Sequence, residues 1–353
     1  MTTVADTVAA PSRAERQALV VVAAPHLKGP DSVATIMWNV VAALVPLVAA
    51  SAWFFGVSAL LVVLASVAGA VATEHFVGRR GSLADGSAAI TGILLGLTLP
   101  AGLPLWTAVL GGAFSIGIGK LLFGGLGYNI FNPALIGRAF LMAAFPVALT
   151  TWPTAGGSFW TLRGDNFALP LTTARATDAV TAATPLGLFK FEGQGSEVGS
   201  LFLGTVGGSL GETSALLILL CGGYLALRRF LDWRVPASII GTVALLQGAL
   251  HLTDATRYAS VPFTLFSGGL MLGAVFMATD MVTAPVTKRG RWVFGAAIGL
   301  TVVVIRAWGG LPEGMMYAIL LANALVPYIN KVTQPRVFGT RRALREANGG
   351  VAR

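Results

Sequence analysis

Long apolar runs separated by short polar segments dominate this chain. Ten runs can be marked along its 353 residues, and each approaches the roughly 20 residues that a helix needs to cross a hydrocarbon core of about 30 Å. They cover residues 34–53, 56–77, 86–100, 104–123, 133–150, 198–227, 235–252, 261–279, 291–308 and 314–330. The pattern predicts an all-α integral membrane protein with about ten transmembrane helices.

Three of these runs are short or interrupted by glycine, namely 86–100, 133–150 and 198–227. Irregular backbone at membrane depth persists only where it is buried in protein or lines a cavity. We therefore expect half-helices near the middle of the bundle.

Composition supports the membrane assignment. Hydrophobic residues make up 55% of the chain and charged residues 11%, whereas a soluble domain usually carries about 25% charged residues. The mean hydropathy is +0.76. The 44 glycines lie largely inside the apolar runs, as in closely packed or broken transmembrane helices.

The basic residues indicate orientation. With the N-terminus in the cytoplasm, three lysines and arginines precede the first run, two follow the second, three the sixth, three the eighth and six the tenth. Seventeen of 24 thus lie inside and four outside, as the positive-inside rule requires. Ten spans also place both termini in the cytoplasm. Because these residues cluster in short loops and form no stripe, the net charge of +9 does not indicate nucleic-acid binding.

The runs divide the chain into five parts. These are a cytoplasmic N-terminal segment (1–33), a first five-helix half (34–150), an external loop (151–197), a second five-helix half (198–330) and a basic cytoplasmic tail (331–353). The segment from Met1 to Lys28 lacks the basic-then-apolar order of a cleaved signal, so the first run acts as the anchor. The external loop is too long for a structureless connection and contains aromatic residues, so we expect something to dock there.

Two short sequence motifs occur twice in the chain and suggest an inverted repeat. Residues 85–88 (Asp-Gly-Ser-Ala) resemble 212–215 (Glu-Thr-Ser-Ala), and 122–125 (Leu-Phe-Gly-Gly) resemble 265–269 (Leu-Phe-Ser-Gly-Gly). In the predicted topology the paired segments run in opposite directions, as in inverted-repeat transporters.

No soluble-enzyme motif is present. Residues 117–120 (Gly-Ile-Gly-Lys) lack the spacing of a phosphate loop, the three histidines are scattered, and Cys221 is the one cysteine. We therefore predict no catalytic residue and no metal site on this chain.

Carboxylates in or beside the runs are the remaining polar candidates. A carboxylate at mid-bilayer costs roughly 2.5–3.5 kcal/mol, so buried ones are functional candidates. Glu212, Asp85 and Asp280 are the predicted ion-path residues, although Asp85 and Asp280 also suit helix capping. We interpret Glu74 and Glu313 as interfacial. The basic residues Lys120, Arg138 and Arg306 are expected to snorkel towards water.

Four separate segments resemble one known family. They are residues 267–280, residues 122–134, residues 208–215 and, near the start, Ala24-Pro25-His26 with Ile36-Met37. In sequence and order they resemble the RnfD/NqrB family of membrane redox-complex subunits. The short N-terminal segment is more similar to RnfD than to the longer, quinone-associated NqrB.

The resemblance implies a covalent cofactor on the external loop. Family members carry FMN joined through its phosphate to a threonine, attached by a flavin transferase that reads Asp-x-x-[Ser/Thr]-x-Ala-[Ser/Thr]. Residues 178–184 match this pattern, with alanine in second place where glycine is frequent. Thr184 would be the modified residue, and Asp178, Thr181 and Ala183 would be recognition positions. Whether a second, non-covalent flavin such as riboflavin also binds is left open.

The resemblance also implies a role in a larger assembly. The expected function is that of a membrane subunit of an ion-translocating ferredoxin:NAD oxidoreductase in the bacterial inner membrane, with a periplasmic flavin loop. Its partners would be iron–sulfur and flavin subunits, the flavin transferase and membrane lipid, and it would couple electron flow to transport of Na+ or H+. The alternatives are an NqrB-like subunit of a Na+-pumping NADH:quinone reductase, a passive solute channel or transporter, and a purely structural membrane subunit.

Overall fold

The computed structural model describes residues 31–78, 82–170, 184–204, 207–212 and 214–335. Within these residues the chain is a bundle of helices belonging to one compact unit, Val33–Arg353. The helices of the first half are α1 (Val33–Phe55), α2 (Val57–Val77), α3 (Ser87–Leu97), α4 (Leu105–Ile116), α5 (Pro133–Ala144) and α6 (Pro146–Thr150). A π-helical turn, Gly117–Leu121, extends α4.

The remaining helices begin with α7, which lies within the external loop, and continue through the second half. They are α7 (Pro185–Glu192), α8 (Val198–Leu203), α9 (Ala215–Leu227), α10 (Arg234–Thr253), α11 (Val261–Phe266), α12 (Leu270–Leu272), α13 (Lys288–Trp308) and α14 (Met315–Thr333). A second π-helical turn, Gly273–Met277, extends α12.

The helices confirm a multi-pass α-helical membrane protein. Five of those described are long and apolar enough to cross a bilayer: α1, α2, α10, α13 and α14. Shorter apolar helices cover Ser87–Leu97, Leu105–Leu121, Pro133–Ala144 and Ala215–Leu227. At 1.5 Å per residue, a helix such as α3 reaches about 17 Å and cannot span the core alone.

The expected interruptions are present, together with one that the hydropathy pattern missed. Run 133–150 breaks between α5 and α6, where Pro146 follows Phe145, and run 198–227 separates into α8 and α9. Run 261–279 also breaks, at Ser267 and Gly268, where Gly268 has φ +67°. Only glycine adopts that conformation without strain.

Arg306 stabilises this extra break. Its Nη1 donates to the carbonyl of Thr264 over 2.6 Å and its Nη2 to that of Ser267 over 3.1 Å. These carbonyls lie at the C-terminal end of α11, where the helix leaves acceptors free. The prediction that Arg306 snorkels to water is therefore wrong, because its guanidinium is used inside the bundle.

Small residues bring one helix pair in each half into close contact. A Cβ at Gly69 of α2 would lie 2.1 Å from the Val109 carbonyl oxygen on α4. In the second half, a Cβ at Gly295 of α13 would lie 2.6 Å from the Ser238 side chain on α10. Both pairs join the second and fourth spans of their halves. The recurring sequence motifs instead pair the third span with the sixth and the fourth with the eighth. The motifs and the helix contacts therefore match the two halves differently, and the inverted repeat stays a prediction.

Part of the external loop covers one end of the bundle, here named the loop face. Val57 N donates to Phe159 O over 2.8 Å, and Asn166 Nδ2 donates to the carbonyls of Ala101 and Leu103 over 2.9 and 3.0 Å. Trp160 nevertheless leaves 78% of its surface exposed. Residues 159–166 thus pack against the turns between α1 and α2 and between α3 and α4 while still presenting an aromatic surface.

Candidate functional site

A cavity of about 100 Å³ lies beneath the loop face. Its polar lining comes from four different parts of the chain: Thr98 after α3, Arg138 in α5, Ser209 before α9 and Glu313 before α14. Thr184, immediately before α7, also lines it, as do Thr150 and Tyr317. We call this the loop-face cavity. It joins the threonine singled out in the sequence to charged residues of both halves.

Arg138 and Glu313 form a buried ion pair in the wall of this cavity. Arg138 Nη2 lies 2.9 Å from Glu313 Oε2, and Nη1 donates to the Thr98 carbonyl over 2.8 Å. Arg138 is only 6% exposed. Arg138 therefore does not snorkel, because its guanidinium pairs inside the protein, whereas Glu313 is partly exposed just before α14, as expected for a carboxylate near a span end.

Glu212 lies beside this pair, in a short 3₁₀ turn, Leu210–Glu212. Leu210 N donates to the Leu99 carbonyl over 3.2 Å, and Ser51 Oγ donates to the Leu210 carbonyl over 2.6 Å, which fixes the turn against α1 and the end of α3. The Glu212 carboxylate interacts electrostatically with Glu313 and Arg138. Of the three predicted ion-path residues, Glu212 alone belongs to this cluster.

Thr184 is held in a defined position at the start of α7. It is the N-cap residue, with its Oγ1 accepting from Gly187 N over 3.1 Å, and Pro185 occupies the first helical position. Thr184 is 6% exposed. An anionic group on this oxygen would lie at the positive end of the helix dipole.

Lys190 fixes α7 to the bundle and had no role in the sequence analysis beyond its charge. Its Nζ donates to the carbonyls of Gly309 over 2.6 Å and Leu311 over 2.8 Å, and the ring of Phe189 lies 5.3 Å from that of Phe263. Burial, and then the charge of Arg306, lower the pKa of Lys190. The sequence six residues after Thr184 does not by itself predict that Lys190 binds the end of a distant helix.

The opposite face contains a second buried ion pair. Lys120 Nζ, in the first π-helical turn, lies 2.5 Å from Glu74 Oε1 and donates to Ser87 Oγ over 2.6 Å. Ser87 Oγ in turn donates to Asp85 Oδ1 over 2.5 Å. Lys120 and Glu74 are 2% and 1% exposed. Lys120 does not snorkel, Glu74 is not interfacial, and Asp85 both caps α3 and ends this network.

Asp280 is placed on another wall of the same region. Its carboxylate accepts from Val282 N and Thr283 Oγ1, both over 3.2 Å, so it shapes the turn after the second π-helical turn. Asp280, Lys120 and Asn132 line a cavity of about 100 Å³, the opposite-face cavity. Gly273 and Met277 line the loop-face cavity, while Val275 and Phe276 line the opposite-face cavity, so this π-helical turn separates the two.

The three recognition positions of the flavin motif, Asp178, Thr181 and Ala183, lie outside the described residues. The fit of a phosphoester can be tested at Thr184 itself. Arg138 lines the same cavity, and its Nε has no hydrogen-bond partner among the described residues. A buried cation with a free donor and a helix N-terminus are what a phosphate diester requires. Ligand pockets usually hold roughly 300–1,000 Å³, so the cavity suits a phosphate and not a whole flavin.

Comparison with known proteins identifies the family. Residues 20–339 match the family model described as the NQR2, RnfD, RnfE family. The chain belongs to this family. The match includes both buried ion pairs, Thr184 and both π-helical turns.

Individual relatives cover nearly the whole chain. The chain is 42% identical over 332 residues to the D subunit of the proton-translocating ferredoxin:NAD(+) oxidoreductase complex of Clostridium ljungdahlii, covering 90% of this chain and 95% of the relative. It is 39% identical over 338 residues to the D subunit of the Na(+)-translocating ferredoxin:NAD(+) oxidoreductase complex of Acetobacterium woodii, covering 93% and 98%. It is 41% identical over 331 residues to the D subunit of the ion-translocating oxidoreductase complex of Stutzerimonas stutzeri, covering 88% and 93%.

Proposed function

We propose that this chain is the D-type membrane subunit of an ion-translocating ferredoxin:NAD oxidoreductase and carries FMN covalently on Thr184. The observation that supports this most directly is the position of Thr184, the last residue of the flavin motif, in a cavity shared with the buried Arg138. Bound FMN would supply a redox centre that accepts electrons from one partner and passes them to another. The chain itself is one subunit of the enzyme and depends on its partner subunits for the complete reaction.

Two groups near Thr184 would bind the phosphate of the attached FMN. Attachment would transfer the FMN phosphoryl group from a flavin dinucleotide donor: the bond between Thr184 Oγ1 and phosphorus forms as the donor's pyrophosphate bond breaks, and the departing nucleoside monophosphate takes up the hydroxyl proton. The Gly187 N–H already points at this oxygen, and Arg138 supplies a buried positive charge. Because Thr184 is buried and α7 is tied down by Lys190, the transferase must reach the hydroxyl before α7 packs against α11 and α13.

Ion coupling is assigned to carboxylates that lie near the two cavities. Moving one charge against 100 mV costs about 2.3 kcal/mol, and a two-electron drop of 30 mV supplies about 1.4 kcal/mol. Roughly 50 mV of redox drop therefore offsets one ion at that voltage. Glu212 beside the loop-face cavity, with Asp85 and Asp280 at the opposite face, would provide negative charges along the route of Na+ or H+.

The loop face is assigned to the periplasm and both termini to the cytoplasm of a bacterial inner membrane, from the distribution of basic residues. A second, non-covalent flavin such as riboflavin would need more room than either 100 Å³ cavity offers. The NqrB-like alternative belongs to the same family, but the relatives named above are D subunits of ferredoxin:NAD or ion-translocating oxidoreductases.

The proposal is tested by expressing the chain in a host with its flavin transferase and separating it on a denaturing gel. Flavin fluorescence is expected at the band of the chain itself, and it should be absent from the Thr184→Ala variant. The control is Thr154→Ala, a substitution in the same loop but outside the motif, which should leave the fluorescence unchanged. A transporter without flavin would give no fluorescent band. Fluorescence surviving in Thr184→Ala would assign the flavin to another residue.

A further inference from the structure

A basic cleft opens on the face opposite the external loop, next to the opposite-face cavity, with which it shares Phe230, Leu231, Thr279 and Met281. It has a volume of about 420 Å³ and lies where α9 ends and α10 and α13 begin. Arg229, Asp232, Arg234 and Arg291 line it, together with Trp233. Three arginines face one aspartate, which leaves an excess of two positive charges.

Two of the arginines are held in place by the aspartate. Arg234 Nη1 lies 3.0 Å from Asp232 Oδ2, and Arg291 Nη1 pairs with the same oxygen. Arg291 Nε also donates to the Pro285 carbonyl over 3.0 Å. Asp232 therefore fixes the directions of both guanidinium groups while neutralising one charge.

Arg229 is unpaired, and its backbone conformation is unfavourable for its residue type. Its φ is +60°, the one positive φ among the described non-glycine residues. Phe230 N donates to Leu225 O over 2.9 Å and Arg229 N to Ala226 O over 3.0 Å, which is the pattern of a Schellman turn with Arg229 at the position that glycine normally fills. Within the described ranges its guanidinium makes no ion pair. An arginine retained at a strained position points to a use for its charge.

The surroundings of the cleft are those of a membrane–water boundary. Trp233 and Trp292 contact each other edge to face at 5.9 Å and are 56% and 43% exposed, as is usual for tryptophans at the interface. Leu227, next to this turn, is 88% exposed, and Met281, in the cleft wall, is 50% exposed. A ligand here meets cationic groups on the water side and apolar side chains on the bilayer side.

We propose that the basic cleft binds the phosphate headgroup of an anionic phospholipid, with Arg229, Arg234 and Arg291 as its cationic partners. The acyl chains would lie along the exposed apolar surface beside Leu227 and Met281. Basic pockets between transmembrane helices are known to take anionic headgroups in this way. This site is independent of Thr184 and of the proposed flavin.

The test measures the thermal unfolding midpoint of the full-length chain in neutral detergent as lipid is added. Phosphatidylglycerol is expected to raise the midpoint, whereas phosphatidylcholine and inorganic phosphate at equal concentration are not. Arg229→Gly removes the charge and relieves the strained φ, so this variant is expected to fold with unreduced stability. Its half-saturating phosphatidylglycerol concentration should rise by about fivefold, the loss expected for one cationic side chain at the membrane surface.

Arg228→Gln is the matched control, because Arg228 precedes Arg229 but does not line the cleft; it should respond like the wild type. An equal response to phosphatidylcholine, or to inorganic phosphate alone, would overturn the lipid site. The lipid site is also overturned if Arg229→Gly responds normally to lipid but loses a partner subunit on purification, since the cleft would then bind an acidic protein segment.

Discussion

Lys120 Nζ lies 2.5 Å from Glu74 Oε1, although 46 residues separate the two in sequence and both are almost completely buried. The contact joins the π-helical turn after α4 to the last part of α2. It is one of two ion pairs that the described residues form within the apolar interior, and it makes a direct prediction for stability.

Lys120→Met should destabilise the protein strongly, because it leaves the Glu74 carboxylate buried without its partner. Breaking one side of a buried pair costs about 3–5 kcal/mol, whereas replacing both members by apolar residues of similar volume is often close to neutral. The double variant Lys120→Met/Glu74→Met should therefore be more stable than the single one. Thermal unfolding in detergent measures the relative stabilities of the wild type, the single variant and the double variant. If Lys120→Met is as stable as the wild type, the pairing of Lys120 with Glu74 is contradicted.

Arg138 should influence the electron affinity of the bound flavin. Arg138→Met removes a buried positive charge from the cavity that contains Thr184, which disfavours the more negative, reduced state. The flavin midpoint potential should fall by tens of millivolts, given about 30 mV per 1.4 kcal/mol for a two-electron couple. Redox titration of the flavin-loaded chain measures this. The control is Arg257→Gln, because Arg257 is basic but does not line that cavity. Equal midpoint potentials in the wild type, Arg138→Met and Arg257→Gln would show that Arg138 does not tune the flavin.

Asp232 predicts a stability change at acidic pH. Burial alone would raise the pKa of Asp232, but the hydrogen bond from Arg234 N, the hydrogen bond from Arg291 and the charges of both arginines outweigh it and lower the pKa. A lowered carboxyl pKa contributes stability that is complete above the unfolded value of about 3.9 and is lost as pH falls through the folded value.

Asp232→Asn should thus be less stable than the wild type at pH 7, by about 1–2 kcal/mol for the charged hydrogen bonds removed. The difference should shrink as the pH falls below about 4, because Asp232 is then protonated in the unfolded chain while the folded carboxylate takes up its proton only at lower pH. Unfolding midpoints of both proteins, measured from about pH 3 to about pH 7, provide the check. A constant difference throughout would contradict the lowered pKa.

Glu212 is the most specific candidate for ion coupling. Glu212→Gln removes a negative charge beside Arg138 and Glu313 and should lower the ions moved per electron several-fold, while electron flux and flavin content persist. Glu197→Gln, an exposed carboxylate next to α8, is the matched control. The test measures ion uptake by inverted membrane vesicles together with electron flux. If the number of ions moved per electron is unchanged in Glu212→Gln, Glu212 takes no part in ion coupling.

The sequence predicted the helical segments well, because hydropathy depends on the apolar character of consecutive residues. It did not predict which polar residues pair. Arg138 and Glu313 are 175 residues apart, and their contact depends on α5 and the start of α14 being neighbours, which hydropathy does not encode. The break at Gly268 was missed since the surrounding run stays apolar, although the Ser-Gly-Gly sequence could have indicated it.

The site was predicted unevenly for the same reason. Thr184 was named because the family resemblance gave meaning to a local heptad, and its flavin attachment stays a prediction. Its surroundings could not, because Arg138, Ser209 and Glu313 come from distant segments. Lys190, which fixes α7, donates to carbonyl groups whose exposure depends on where α13 ends.

The central claim is a phosphoester on Thr184, and the intact mass of the chain tests it most directly. The chain should be purified from a host with its flavin transferase and compared as wild type, Thr184→Ala and Thr184→Ser. The wild type and Thr184→Ser, which keeps a hydroxyl acceptor, should be heavier than their polypeptides by one FMN less one water, and Thr184→Ala should have the mass of its bare polypeptide. A wild-type chain with only its polypeptide mass would contradict the account.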